Sequence, residues 1–268
     1  MAAYIHPTST VEDAVQLADD VVIGPHCTLV GPITIGAGSA LAGHTFLTGP
    51  LTIGLNNRIY PFVCLGFEPQ DYKYDSEAKC AGIRIGDGNL IREHVTVHRS
   101  TSADCPTTIG DECMLMVGAH VGHDCTVGNR CVMVNNAVLA GHVIVEDQVT
   151  ISGASGIAQN VRLGRLSFVG GAIGIVQHLP PFMFARKMNR VSGLNLIGLR
   201  RSGMTHEEID HLRAAFRIIY EERNSRSMVM EKLCQLSDIS PAVRELHDYF
   251  QIIKGAICKR DKPGSDVK

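Results

Sequence analysis

The chain has 268 residues, with 27 acidic against 25 Lys and Arg side chains, 27 glycines and no tryptophan. The near-balanced charge argues against a nucleic-acid partner or a polybasic membrane surface, and no run approaches the roughly 18 apolar residues of a membrane span. The opening MAAYIHPTSTVEDAV lacks the basic and apolar regions of a secretory leader, so a cytoplasmic protein is expected.

The cysteines at positions 27, 64, 80, 105, 113, 125, 131, 234 and 258 form no CxxC pair, which favours reduced, structural thiols over zinc or redox work. Aromatic residues are only 5% of the chain, so the core must be aliphatic.

From Val11 onward every sixth residue is aliphatic: Leu17, Ile23, Leu29, Ile35, Leu41, Leu47, Ile53, Ile59 and Leu65 follow without a miss. The frame breaks at the polar run DYKYDSEAKCAG and resumes at Ile85, Ile91 and Val97. It crosses a second polar stretch and continues through Ile109, Leu115, Val121, Val127, Met133, Leu139 and Val145 to Ile175. Six helical steps of about 100° would rotate a side chain by about 240°, so no α-helix holds this stripe on one face. A small residue usually sits four places after each aliphatic, as Cys27, Cys113, Cys125 and Cys131 do. Both features fit a hexapeptide β-helix: one short strand per hexad, three hexads per triangular coil, aliphatics inward and small residues at the corners. The fold expected is mainly β, a left-handed parallel β-helix of hexapeptide repeats.

Within this frame, GAHVGHDCTVGNRC and LAGHV place several polar residues outward. Stacking residues three hexads apart sets Asp124 against His142, and His123 against Gly141. His120 ends the preceding hexad, while His98 and Lys73 edge the two loops that leave the frame. Any single outward polar residue needs no function on such a surface; His26 and His44 stack in the same way with no acidic neighbour. The cluster is different, because histidine suits proton transfer near neutral pH and a carboxylate can fix its tautomer. A Gly141 N–H could then meet an oxyanion. A second reading makes His120, His123 and His142 three zinc ligands.

The frame ends near Pro180 and Pro181. Thr205 and Glu208 form a capping box before Ile209, Leu212, Phe216 and Ile219 at helical spacing. A second helix is expected around Met228–Leu236. A third starts with Ser240 as cap and Pro241 at its first position and carries Val243, Leu246, Phe250, Ile253 and Ile257. Two units follow, a β-helix over residues 1–190 and a small C-terminal helical domain over residues 191–268.

Together GFEPQDYKY (66–74), IREHVTVHRST (91–101), GAHVGHDCTVGNRCVMVNNAVLAGHV (118–143), the VGG at 169–171 and NLIGLRRSG (195–203) resemble the UDP-N-acetylglucosamine 3-O-acyltransferases that begin lipid A synthesis. The resemblance covers nearly the whole chain. It implies a homotrimer with active sites in the clefts between neighbouring β-helices, and transfer of a 3-hydroxyacyl chain from acyl carrier protein to the glucosamine 3-hydroxyl. His123 would be the general base, Asp124 its orienting partner and the Gly141 N–H the oxyanion donor. Lys73, His98, His120, His142 and Gln159 match positions that bind the sugar nucleotide, and Asn195 and Arg201 match positions near its uridine and phosphates. Gly171 matches the floor of the acyl groove. No metal and no cofactor is implied beyond the phosphopantetheine carried by the donor.

The chain departs from the pattern at four places, one of them the segment ARKMNR (185–190), where alignment needs a one-residue gap. Ala158 stands where a histidine is usual, Ile197 where an acidic residue is, and Ser202 where a second arginine is. These lie around the nucleotide and acyl ends and leave open the donor's length and the acceptor. An amino-sugar nucleotide, giving N-acylation, is the sister reading. A trimeric metal-dependent lyase of the carbonic anhydrase type and a non-catalytic scaffold are the readings from other classes.

Overall fold

The computed structural model describes residues 2–222 and 224–261. Each hexad forms a strand of two to four residues with its aliphatic inward, so that Ile23, Leu41, Ile59, Ile91, Leu115, Met133 and Ile151 make one column, each at most 1% exposed. Three such columns back three parallel sheets of 12, 9 and 8 strands, and successive strands of the chain visit the three sheets in turn. This is the left-handed parallel β-helix expected from the hexads. Cys27, Cys113, Cys125 and Cys131 all occupy buried corner slots.

Each corner turns through a residue in the left-handed backbone region, among them Asp124 (φ 59°), Asn136 (φ 58°), His142 (φ 60°) and Asn160 (φ 62°). A non-glycine residue there costs about 1–2 kcal/mol. Backbone bonds between coils offset the cost, as where the His142 N–H donates to the His123 carbonyl at 3.0 Å. Along the corner between the third and first sheets, side chains add a second ladder. Asp87 accepts the Leu55 N–H (2.7 Å), Asp111 that of Asp87 (2.8 Å), Asn129 that of Asp111 (2.8 Å) and Asp147 that of Asn129 (2.7 Å).

Two segments leave the coil. Ile59 pairs with Ile91, and Val97 with Val121, instead of with residues 18 positions away as Val121 does with Leu139. Segments 68–82 and 99–106 are therefore extruded, each following a strand of the second sheet.

After Pro181 the first sheet continues as a hairpin, Met183–Lys187 parallel to the coil strand Phe168–Val169 and antiparallel to Arg190–Leu194. The sheet thus runs past residue 190. Helices α1 (Leu196–Arg201), α2 (His206–Tyr220), α3 (Arg226–Ser237) and α4 (Pro241–Ile252) follow. The capping box of Thr205 and Glu208 is present, and Ser240 caps α4 with Pro241 in its first turn. The helices dock on the end of the coil through Tyr249, whose hydroxyl donates to the Arg162 and Leu179 carbonyls at 2.9 and 3.1 Å, and through the Arg165–Glu245 pair at 2.7 Å. None of the helices is long and apolar enough to cross a membrane among the described residues.

One helical expectation is corrected. Ile257 does not continue α4, which stops at Ile252 with Ile253 extended. Gly255 turns the chain at φ 115°, and Ile257 forms a β-bridge to His178 instead. The His178 N–H donates to Ala256 and its carbonyl accepts from Cys258, so strand-like pairing with the coil replaces the last helical turn. Lys259–Arg260 then pairs with the second hairpin strand.

The column argument has a direct check in one strand, Arg58–Ile59, whose arginine is exposed and whose isoleucine is buried between Leu41 and Ile91. Ile59→Ala should cost about 2–5 kcal/mol in chemical denaturation, and Arg58→Ala should stay within about 0.5 kcal/mol. Equal losses would contradict an inward column.

Candidate active site

The second sheet and the corner that follows it carry the polar cluster. His123, Asp124, Gly141 and His142 all sit at this corner, and the turn sets which way each one faces. The left-handed backbone at Asp124 and at His142 places their side chains over one another, with His142 Nε2 3.7 Å from Asp124 Oδ2. His123 lies on the flank of the turn, and its Nδ1 is 2.7 Å from the same oxygen. The two imidazoles meet edge to face at 5.0 Å.

Asp124 is the most heavily anchored group of the site. The Thr101 hydroxyl donates to Oδ2 at 2.8 Å, the Thr101 and Ser102 N–H groups donate to Oδ1 at 2.9 and 3.3 Å, and the Asp124 N–H donates to Thr107 at 2.9 Å. Burial pushes the carboxyl up, but the bonds from His123 and Thr101 outweigh it and hold the group below its ordinary value. It is therefore a carboxylate, and His123 Nδ1 carries the proton it accepts. This leaves His123 Nε2 as the acceptor atom, beside Gly141.

Gly141 is required there. A Cβ at this position would lie 2.5 Å from His123 Nε2 and Cε1, so any side chain would displace the ring. Its N–H holds the hexad position of Leu55, Asp87, Asp111 and Asn129, whose amides are taken by side chains of the adjacent coil. Gln159 stands in the matching capping position one coil further on. Among the described residues the Gly141 N–H donates to none of them, and it is available to the groove.

That groove holds about 780 Å³, and its walls include Lys73, His98, His120, His123, Gly141 and Gln159. His120 Nδ1 is 2.7 Å from Thr96 Oγ1, and its ring meets His98 edge to face at 4.9 Å. Burial, then the neighbouring His120 and His123, lowers His98 to about 4; burial also lowers His120. Gln70 and Asp71 line the groove too and were not singled out in the sequence. Asp71 lies within GFEPQDYKY, two residues before Lys73, and no spacing argument places it in the groove. Thr101 closes the segment IREHVTVHRST, but the extruded stretch around it breaks the six-residue frame, so spacing does not place it on Asp124. Arg99 ties the first loop down, with its guanidinium 3.0 Å from Glu68 and 5.5 Å over the Tyr74 ring.

The remaining expected residues lie elsewhere. Asn195, Arg201, Ile197 and Ser202 line a second groove of about 790 Å³ against Val132, Thr150 and Phe168 on the first sheet. Asn195 caps α1, its Oδ1 accepting from the Gly198 N–H at 3.1 Å while its Nδ2 donates to the Leu166 carbonyl at 2.9 Å. Gly171 is exposed at the corner between the first and second sheets and lines neither groove. Of possible metal donors, His123, Asp124 and His142 each place one atom within 4.8 Å of the others. His120, the remaining histidine of the zinc reading, is not in that cluster.

Residues 179–258 match the family described as UDP N-acetylglucosamine O-acyltransferase, domain 2, and residues 106–141 match the bacterial transferase hexapeptide repeat. The chain is 40% identical over 196 residues to the acyl-[acyl-carrier-protein]–UDP-N-acetylglucosamine O-acyltransferase of Synechocystis sp., which covers 73% of this chain and 70% of that protein. The solved structure of Francisella novicida UDP-N-acetylglucosamine acyltransferase superposes with a TM-score of 0.92 at 29% identity, over 98% of this chain and 96% of that one. For the Moraxella catarrhalis UDP-N-acetylglucosamine O-acyltransferase the values are 0.90 and 34%, over 97% and 100%.

The burial of His98 predicts an observable. Its ring resonances in an NMR titration should stay flat from pH 7.5 down to pH 5.5, well above its value of about 4. An inflection near pH 6.5 would show that the ring is solvated.

Proposed function

The chain belongs to the acyl-[acyl-carrier-protein]–UDP-N-acetylglucosamine O-acyltransferase family, and we propose that it is the acyltransferase of lipid A biosynthesis that places a 3-hydroxyacyl chain on the 3-hydroxyl of UDP-N-acetylglucosamine. The observation that carries the proposal is the His123–Asp124 hydrogen bond of 2.7 Å beside an uncommitted Gly141 amide. A base with a fixed tautomer and an oxyanion donor on the facing residue are what acyl transfer to a hydroxyl needs.

In this reading the sugar hydroxyl gives its proton to His123 Nε2 as its oxygen attacks the thioester carbonyl carbon. Asp124 stabilises the imidazolium, and the Gly141 N–H donates to the oxyanion of the tetrahedral intermediate. Collapse breaks the C–S bond, and the imidazolium returns the proton to the departing thiolate. Lys73, His98, His120 and Gln159, which line the groove, surround the acceptor, with His98 and His120 held neutral as hydrogen-bonding groups, and His142, beside Asp124 and outside that lining, is assigned to the same task. The reaction needs no metal and no cofactor beyond the phosphopantetheine of the donor protein.

A homotrimer belongs to the same proposal. Asn195 and Arg201 occupy the first-sheet groove, and Gly171 a corner outside the His123 groove, so a second copy of the chain supplies these positions to each site. There Arg201 binds the nucleotide phosphates, Asn195 fixes the segment beside them, and Gly171 leaves depth for the acyl chain. A reducing compartment, the cytoplasm, suits the free cysteines.

Incubated with UDP-N-acetylglucosamine and 3-hydroxyacyl carrier protein, the purified enzyme should form O-acylated product, followed by mass spectrometry. His123→Ala should lose about 10²–10⁴ of the rate, the usual contribution of a general base. Gly141→Ala should also lose activity by displacing the His123 ring while the fold persists. Turnover undiminished in His123→Ala would overturn the mechanism.

A further inference from the structure

The His123–Asp124–His142 corner brings together two imidazoles and a carboxylate, and acid–base chemistry needs only part of that set. His123 Nδ1 and His142 Nε2 approach the same oxygen, Asp124 Oδ2, at 2.7 and 3.7 Å. One donor atom from each of the three lies within 4.8 Å of the other two. A zinc ion bound at about 2.0–2.2 Å with tetrahedral angles needs donors about 3.3 Å apart. The 2.7 Å contact must open and the 3.7 Å contact close by about half an ångström each, and the two histidine nitrogens, within 4.8 Å of each other, must be drawn to the same spacing by side-chain rotation.

The surroundings favour an ion at this point. Oδ1 is occupied by two backbone N–H groups, and Oδ2 keeps its Thr101 bond whether its other partner is a proton on His123 or a metal. The His142 side chain is 43% exposed and faces solvent, giving an entry path and room for a water as fourth ligand. A site of two nitrogens and one carboxylate oxygen suits divalent first-row transition ions.

We infer that His123, Asp124 and His142 form a binding site for a divalent transition ion, and that its occupancy switches the enzyme off. The consequence for activity rests on the acyltransferase reading; the binding itself does not. In the active form His123 has its proton on Nδ1 and its lone pair on Nε2. A metal takes the Nδ1 lone pair, so the ring proton moves to Nε2. No proton is lost overall, and the atom that must accept the sugar proton no longer can. The ion is a reversible inhibitor competing with the catalytic hydrogen bond, not a cofactor.

The test reads binding and inhibition separately in the full-length protein. Zn²⁺ affinity is measured by competition with a chromophoric chelator, and Co²⁺ is added as a spectroscopic probe. Wild-type protein should bind one Zn²⁺ per chain and show the visible absorption of low-coordinate Co²⁺. His142→Ala and His142→Asn should each weaken binding by at least about tenfold. Replacing His26 and His44, which stack on a distant corner, should leave affinity unchanged. Zn²⁺ should abolish wild-type turnover, and a chelator should restore it. No Co²⁺ absorption, or Zn²⁺ affinity unchanged in both His142 variants, would overturn the site. Binding without inhibition in an active enzyme would overturn the switch. A protein that binds Zn²⁺ as expected but never acylates the sugar nucleotide would refute the acyltransferase reading and leave the metal site standing.

Discussion

Coil closure is the constraint on which this molecule depends. Three strands and three corners must return the chain in register with the coil before it, so each corner must pass through the left-handed backbone region at a fixed place. Non-glycine residues accept that cost at Asp124, Arg130, Asn136, His142 and Gln148 in succession. Two gains offset it: a parallel backbone ladder on both sides of every inner coil, and burial of one aliphatic per hexad worth about 1.5–3 kcal/mol. No inner corner can shift without breaking bonds to both neighbours. A corner is therefore a rigid mount, and groups placed on two stacked corners hold their separation.

The candidate active site lies at a corner without the side-chain ladder of its neighbour. Between the third and first sheets, Asp87, Asp111, Asn129 and Asp147 each reach down to cap the amide beneath them, as Asp147 does for Asn129. At the corner after the second sheet, Gly141 holds the amide position and Gln159 the capping position, yet no such bond forms among the described residues. The amide is left for a ligand, and Gly141 has no side chain to obstruct His123. One repeat geometry thus yields a structural spine along one corner and a reactive groove along another, with short polar side chains deciding which.

This explains how far the sequence could be read. Spacing alone locates Ile59, Leu139 and the other inward residues, because the repeat has one solution. It also pairs Asp124 with His142 and His123 with Gly141, because stacked hexads leave no freedom between coils. Where the frame is interrupted, that logic stops. Thr101, which anchors Asp124, and Asp71, which lines the groove, lie in extruded segments whose path depends on contacts such as Arg99 with Glu68 and Tyr74. The Ile257 error has a similar origin. Helical spacing continued past Ile252, but unpaired backbone groups of His178 at the end of the coil offered a β-bridge that spacing cannot reveal. Spacing likewise does not show that the Asn195 side chain, in the second groove, caps α1.

The charge state of the groove follows from the same architecture. Histidines crowded at His98, His120, His123 and His142 would repel one another if all were protonated. Burial removes two of them from that competition by lowering His98 and His120, and Thr96 takes the His120 Nδ1. Asp124 goes the other way: burial alone would raise its carboxyl, yet the bonds from His123 and Thr101 hold it below its ordinary value. The Asp124 carboxylate is thus shared by His123 and His142, at 2.7 and 3.7 Å. Of the two, His123 makes the shorter contact, so its ring is the one the carboxylate holds in a fixed orientation, with Nε2 on the Gly141 side of the corner.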